Sequence, residues 1–111
     1  MPHPSFIMDN TQDGQFHFNL TARNGEIILT SESYTTKGAC ENGVESVKTN
    51  APDEARFDRN VASNGQFYFN LKATNGEIIG TSEMYTTEAA RDNGIESVMT
   101  NAPVADIQDN T

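Results

Sequence analysis

Cysteine is almost absent from this chain. Cys40 is the only one in 111 residues, so no intramolecular disulfide can form, which fits a reducing compartment and a cytoplasmic protein. Histidine is nearly as scarce. His3 and His17 stand alone, and no metal site of known ligand spacing can be assembled from them. Basic residues are few: seven Lys and Arg face sixteen Asp and Glu, for a formal net charge of −9. Such a surface repels phosphate, which argues against non-specific nucleic-acid binding and against docking to an anionic membrane. No apolar run approaches the roughly eighteen residues of a membrane-spanning helix. The segment Met1-Pro2-His3-Pro4-Ser5 has neither the basic nor the apolar region of a signal peptide.

What the chain does have is itself, twice. The stretch Gly14–Pro52 returns at Gly65–Pro103 without a gap, identical at 28 of 39 positions. A unit of about fifty residues is marginal as an independent core. The two copies, 6–52 and 57–103, are therefore expected to share one domain spanning 1–111, related by a pseudo-twofold axis. The residues beyond the second copy, 104–111, show no periodicity and are expected to be disordered.

Each copy reads as three strands and a helix. Phe6-Ile7-Met8 is a short first strand. Asp13-Gly14 and Asn64-Gly65 are turn signals of the type I′ hairpin kind. The second strands alternate, with Phe16, Phe18, Leu20 and Ala22 on one face and Gln15, His17, Asn19 and Thr21 on the other. One face is thus buried and the other wet, as in an antiparallel sheet. After Asn24-Gly25 and Asn75-Gly76, third strands run over Glu26–Ser31 and Glu77–Ser82. Helices begin after Thr35-Thr36 and Thr86-Thr87, where a Thr hydroxyl can accept from the first turn. They stop before the prolines of Asn50-Ala51-Pro52 and Asn101-Ala102-Pro103. Gly43 and Gly94 fall inside the helices at a cost of about 1 kcal/mol each against Ala. Their presence in both copies points to close approach of each helix to the sheet or to its twin.

Three groups of residues are candidates for chemistry. Ser31-Glu32 with Tyr34, and Ser82-Glu83 with Tyr85, could form twinned pockets for a polar ligand or for acid–base work if burial shifted the carboxyl pKa. They could equally shape the junction between strand and helix. The wet face of the second strands carries His17 and Asn19 in one copy and Tyr68 and Asn70 in the other. This is the best candidate contact surface, for a protein, a small polar ligand or, more weakly, single-stranded nucleic acid; the basic groove of such binders is missing. Asn42 and Asn93 lie mid-helix, where a polar contact across the seam would explain them. Cys40 has no neighbouring base in the sequence and aligns with Arg91, so it is read as a small, semi-buried side chain.

The combination of Asn-Gly-Glu-Ile-Ile, Thr-Ser-Glu and Tyr-Thr, followed by a helix carrying Asn-Gly and Glu-Ser-Val and closing in Asn-Ala-Pro, twice at this spacing, closely resembles the YegP-like family (UPF0339, with the DUF1508 repeat). The resemblance covers the chain except its two ends. It implies an α+β fold of two β-β-β-α repeats sharing one antiparallel sheet, with the helices packed on one face. Within such a family the repeat occurs singly, as a dimer, or in tandem, as here. The resemblance implies no catalytic residue and no cofactor. It also implies a basic outer face on the second strand, from which His17, Asn19 and Thr21, and Tyr68, Asn70 and Lys72, depart. The reading leans away from an enzyme, since the residues a catalytic centre would need, Cys40 and the histidines, are the ones the copies do not share. It favours a monomer with an internal pseudo-dimer that acts by binding.

Overall fold

The computed structural model describes residues 3–111. The first strand, β1 (Ser5–Asn10), pairs antiparallel with β2 (Phe16–Thr21), which pairs antiparallel with β3 (Ile27–Thr30), and helix α1 (Lys37–Asn50) follows. A single 3-10 turn leads into the second copy: β4 (Phe57–Val61), β5 (Phe67–Lys72), β6 (Ile78–Thr81) and α2 (Glu88–Asn101). Strands β3 and β6 meet antiparallel at Thr30 and Thr81, which places the pseudo-twofold axis between them. The sheet order is β4-β5-β6-β3-β2-β1, with a seventh strand, β7 (Asp106–Asp109), outside β1.

That seventh strand corrects the expectation of a disordered tail. Residues 106–109 run parallel to β1, from Ser5 opposite Asp106 to Met8 opposite Asp109. The Asp106 amide donates to the Pro4 carbonyl at 3.1 Å and the Asn110 amide to the Met8 carbonyl at 2.9 Å. All four β7 side chains are exposed, so the strand has no hydrophobic pattern to betray it. It is held by the unpaired backbone groups of β1, a long-range partner that periodicity does not encode. The sheet is accordingly mixed: six antiparallel strands as expected, and one parallel addition.

The turns also differ from expectation. A type I′ turn needs positive φ at two residues, yet only Gly14, Gly25, Gly65 and Gly76 among the described residues have it. Each loop is instead a three-residue hairpin closed by two bonds, such as Gly25 N–H to the Ala22 carbonyl and Ala22 N–H to the Glu26 carbonyl. The preceding Asn is needed for its side chain. Asn24 and Asn75 accept from the backbone of Glu26 and Glu77 at 3.0 Å.

Phe6 and Met8 of β1, Phe18 and Leu20 of β2, Leu29 of β3, Phe57 of β4, and Phe69 and Leu71 of β5 carry the buried sheet face. Val44 and Val47 of α1, and Ile95 and Val98 of α2, close it. Helix α1 lies over β2 and also over β5 and β6 of the other copy, while α2 lies over β5 and β3. Neither repeat has a core of its own. Thr36 and Thr87 cap the helices by accepting from Ala39 and Ala90.

The mid-helix glycines make room for tyrosine. A Cβ on Gly43 would stand 2.4 Å from the Tyr34 hydroxyl, and one on Gly94 2.5 Å from that of Tyr85. The close approach is thus to a ring lying parallel to Phe18 or Phe69, not to the other helix. Asn42 and Asn93 are exposed and make no side-chain hydrogen bond among the described residues, so they form no seam contact. The buried asparagines are Asn50 and Asn101, whose amides donate to the Ser46 and Ser97 carbonyls one turn back at 2.8 Å.

Candidate functional site

The Ser-Glu-X-Tyr junction is built by the sheet. Past β3 the chain should keep pairing with β2, but Ser31 substitutes its side chain for backbone. Its N–H donates to the Phe18 carbonyl, and its Oγ accepts from the Phe18 N–H at 2.9 Å while donating to the Glu32 carbonyl. Residues 32 and 33 bulge outward, and pairing resumes when Tyr34 and Phe16 exchange both backbone bonds, at 2.7 and 2.8 Å. Ser82, Phe69, Tyr85 and Phe67 repeat the arrangement. Glu32 and Glu83 therefore point into solvent, and the described residues enclose no cavity.

Tyr34 is half-buried against the core. Burial raises its hydroxyl pKa first, and Cys40, Glu32 and Glu77 raise it further. Tyr85 is raised by burial, Glu83 and Glu26. Glu77 belongs to the second copy and Glu26 to the first, so each tyrosine sits at the seam. A phenol pushed upward from an ordinary value of about 10 stays protonated at neutral pH. Glu32 and Tyr34 are thus brought together, as are Glu83 and Tyr85, but on an open surface with the tyrosine serving as a lid over Gly43 or Gly94.

The open face of the sheet gathers the other four candidates. Asn19 pairs with Thr30, Thr30 with Thr81, and Thr81 with Asn70, in one register row across the axis. Thr30 donates its hydroxyl to Asn19 Oδ1 at 2.9 Å, and Thr81 does the same to Asn70 Oδ1 at 2.9 Å. The row spans three strand gaps, about 14 Å. Asn19 and Asn70 are half-buried, as are His17 and Tyr68 two residues earlier on the same face. His17 lies opposite Asp9, and Tyr68 opposite Asn60. Lys72 is paired with Asp58 at 2.5 Å, which removes the one basic group of this face from easy use. Periodicity alone found the face; the Thr–Asn pairing was missed, because the register that joins residues 11 apart is set by turn length.

Two positions of unequal chemistry hold equivalent places beneath the sheet. Cys40 is fully buried, and its thiol pKa is raised by burial, then by Glu41 and Asp109. Arg91, its counterpart, is 6% exposed and lies over the Phe67 ring at 5.5 Å, with Asp92 at 3.3 Å and Glu88 at 3.6 Å. Arg59 completes this cluster, reaching Glu54 at 3.0 Å and Asp92 at 3.1 Å. His3 is tied to the tail: its Nε2 lies 3.1 Å from the Val104 carbonyl and 3.2 Å from Asp106. Among the described residues no group of three potential ligands is placed to hold a metal ion, and no helix is long and apolar enough to cross a membrane.

Comparison with known proteins agrees with this architecture. A family model described as a domain of unknown function, DUF1508, matches twice in tandem, at residues 12–58 and 62–109. The UPF0339 protein of Shewanella oneidensis is 56% identical over 106 residues, and the UPF0339 protein YegP of Escherichia coli K12 is 51% identical over 106 residues; each alignment covers 96% of both chains. The solution NMR structure of yegP from E. coli, a protein of unknown function by its own description, superposes with a TM-score of 0.93 at 49% identity, covering all of this chain and 96% of that one. That of the Shewanella oneidensis protein gives 0.90 at 53% identity, over 98% and 92% of the two chains. With two tandem repeats, one shared seven-stranded sheet and relatives matched along nearly their whole length, the chain belongs to the UPF0339 family of DUF1508 proteins.

Proposed function

We propose that this protein is a non-enzymatic binding module and that the open face of its sheet is the contact surface. The observation that carries the reading is the Asn19-Thr30-Thr81-Asn70 row. Each asparagine gives its carbonyl oxygen to a threonine hydroxyl, which fixes the amide plane and turns the NH2 group away from the threonine. The face therefore offers two oriented donor groups about 14 Å apart, flanked by His17 and Tyr68. The ligand chemistry that fits is neutral and rich in acceptors, such as a sugar or an amide-bearing compound, since a protein of net charge −9 disfavours anions. The Ser-Glu-X-Tyr junctions support the strand-to-helix connection in this reading.

The test is retention of small molecules from a metabolite extract, identified by mass spectrometry, on the full chain and on an Asn19→Ala/Asn70→Ala variant of matched thermal stability. A compound held by the parent and lost from the variant supports the proposal. Identical retention profiles sink it.

A further inference from the structure

The two outer edges of the sheet differ, and one of them is a second surface independent of the open face. The first strand of each copy faces outward. On β1 that edge is occupied: Pro4 accepts from Asp106 and Met8 from Asn110, and β7 adds four exposed residues in parallel. None of these four side chains is buried, so the addition rests on backbone bonds, on the buried Ala105 just before the strand, on the Lys37–Asp109 ion pair at 2.5 Å and on the His3–Asp106 contact at 3.2 Å. This edge thus accepts a short extended segment with little side-chain burial. In β4 the same register holds, with Phe57 opposite Leu71 as Phe6 is opposite Leu20. The residues that turn backbone groups outward are then Phe57 and Arg59; the Phe57 N–H is held by the Glu54 carbonyl of the 3-10 turn, which leaves the Phe57 carbonyl and the N–H and carbonyl of Arg59, and no strand pairs with that side among the described residues.

The anchors differ in chemistry. Lys37, the first residue of α1, is replaced by Glu88, the first residue of α2. His3 is replaced in sequence by Glu54. Both glutamates keep 62% or more of their side-chain surface exposed although Arg59 and Arg91 touch them, so each carboxylate retains acceptor sites for a further cation. A strand like β7, with Asp at both anchor positions, would meet like charge here.

We propose that the β4 edge is a docking site for an extended basic segment of a partner protein, added parallel to β4 with Lys or Arg at the places of Asp106 and Asp109. Main-chain bonds supply the general affinity, and Glu54 and Glu88 supply the choice of sign. The Arg59 guanidinium is already engaged by two carboxylates, Glu54 of the 3-10 turn and Asp92 of α2, so its charge does not oppose a basic segment unscreened.

The test uses the hexapeptide Ala-Lys-Ile-Gln-Lys-Asn, which is Ala105–Asn110 with both aspartates changed to lysine, against the unchanged sequence Ala-Asp-Ile-Gln-Asp-Asn. Both are titrated into the 15N-labelled full chain, and backbone amide shifts are followed. The basic peptide should shift β4 amides, Phe57 to Val61, and bind about five-fold more tightly than the acidic one, the scale of an exposed ion pair. Glu88→Lys, at an exposed helix position, sets a cation against Glu54 and should abolish that preference. Shifts mapping elsewhere, no shifts at millimolar peptide, an unchanged preference in Glu88→Lys, or concentration-dependent pairing of β4 with a second copy would each overturn the proposal.

Discussion

Leu29 and Gly80 occupy the same place in the two copies, and the structure makes them one unit. Leu29 is fully buried beside the pseudo-twofold axis. A Cβ on Gly80 would stand 2.6 Å from Leu29 Cδ2 and 2.7 Å from Leu29 Cγ. One large side chain fills a space that both copies border. Replacing Leu29 with Gly removes that filling. A buried Leu→Ala change costs about 2–5 kcal/mol, and glycine in a strand adds about 0.5–1. Replacing Gly80 with Leu overpacks the same space, at about 1–3 kcal/mol. Added together, the losses reach about 4–9 kcal/mol, enough to unfold a domain whose total stability is about 5–15. The exchange of both residues should instead restore one leucine to one space from the opposite side. The double variant is expected within about 2 kcal/mol of the parent, a coupling of about 2 kcal/mol or more. Urea titrations followed by circular dichroism on the parent, both single variants and the exchange measure it. A double variant as unstable as the sum of the singles would refute the shared space and, with it, the account of why the copies differ here.

Gly43→Ala should lower stability by about 1–3 kcal/mol through the Tyr34 hydroxyl despite a better helix propensity; adding Tyr34→Phe should recover part of the loss, and equal melts for the two variants would contradict this. Either half of the chain expressed alone should be unfolded or dimeric, because each helix rests on strands of both copies; a folded monomeric half in sedimentation experiments would be decisive against a common core. Hydrogen bonds from Lys37, then Thr111, hold Asp109 well below the usual carboxylate range. Its contribution to docking β7 is present above the unfolded value of about 4 and is lost progressively as pH falls from there through the lowered folded-state value. Amide signals of Asp106–Asp109 should therefore lose their strand character on acidification before those of β2 do, and simultaneous loss would argue otherwise. Cys40 should react with a thiol reagent only as fast as the protein unfolds; rapid modification of the native chain would show that the site is open.

The sequence made the repeat and the alternating face legible because both are local: Phe16, Phe18 and Leu20 bury at period two, and Thr36 and Thr87 announce their helices one residue ahead. The three-dimensional neighbours were less visible. Gly43 signalled a close approach, but the partner, Tyr34, lies nine residues away across a bulge that no turn motif marks. The four candidates on the open face were found by strand parity, whereas their partners Thr30 and Thr81 depend on register across three strands. Strand β7 escaped notice because its side chains touch so little. Exposed residues give pattern reading nothing to detect when backbone bonds supply most of the attachment.

The tail also governs how copies of this protein meet one another. Without β7, the sheet would end in β1, a six-residue strand carrying Phe6, Ile7 and Met8, with a row of unsatisfied backbone groups available to any other unfolded or half-folded chain. With it, the sheet ends in four residues bearing two aspartates, the short, charged kind of boundary that discourages edge-to-edge polymerisation. Residues 106–111, whose side chains are all exposed, thus act as a guard on solubility, and trimming them would harm the protein in concentrated solution well before it changed the fold.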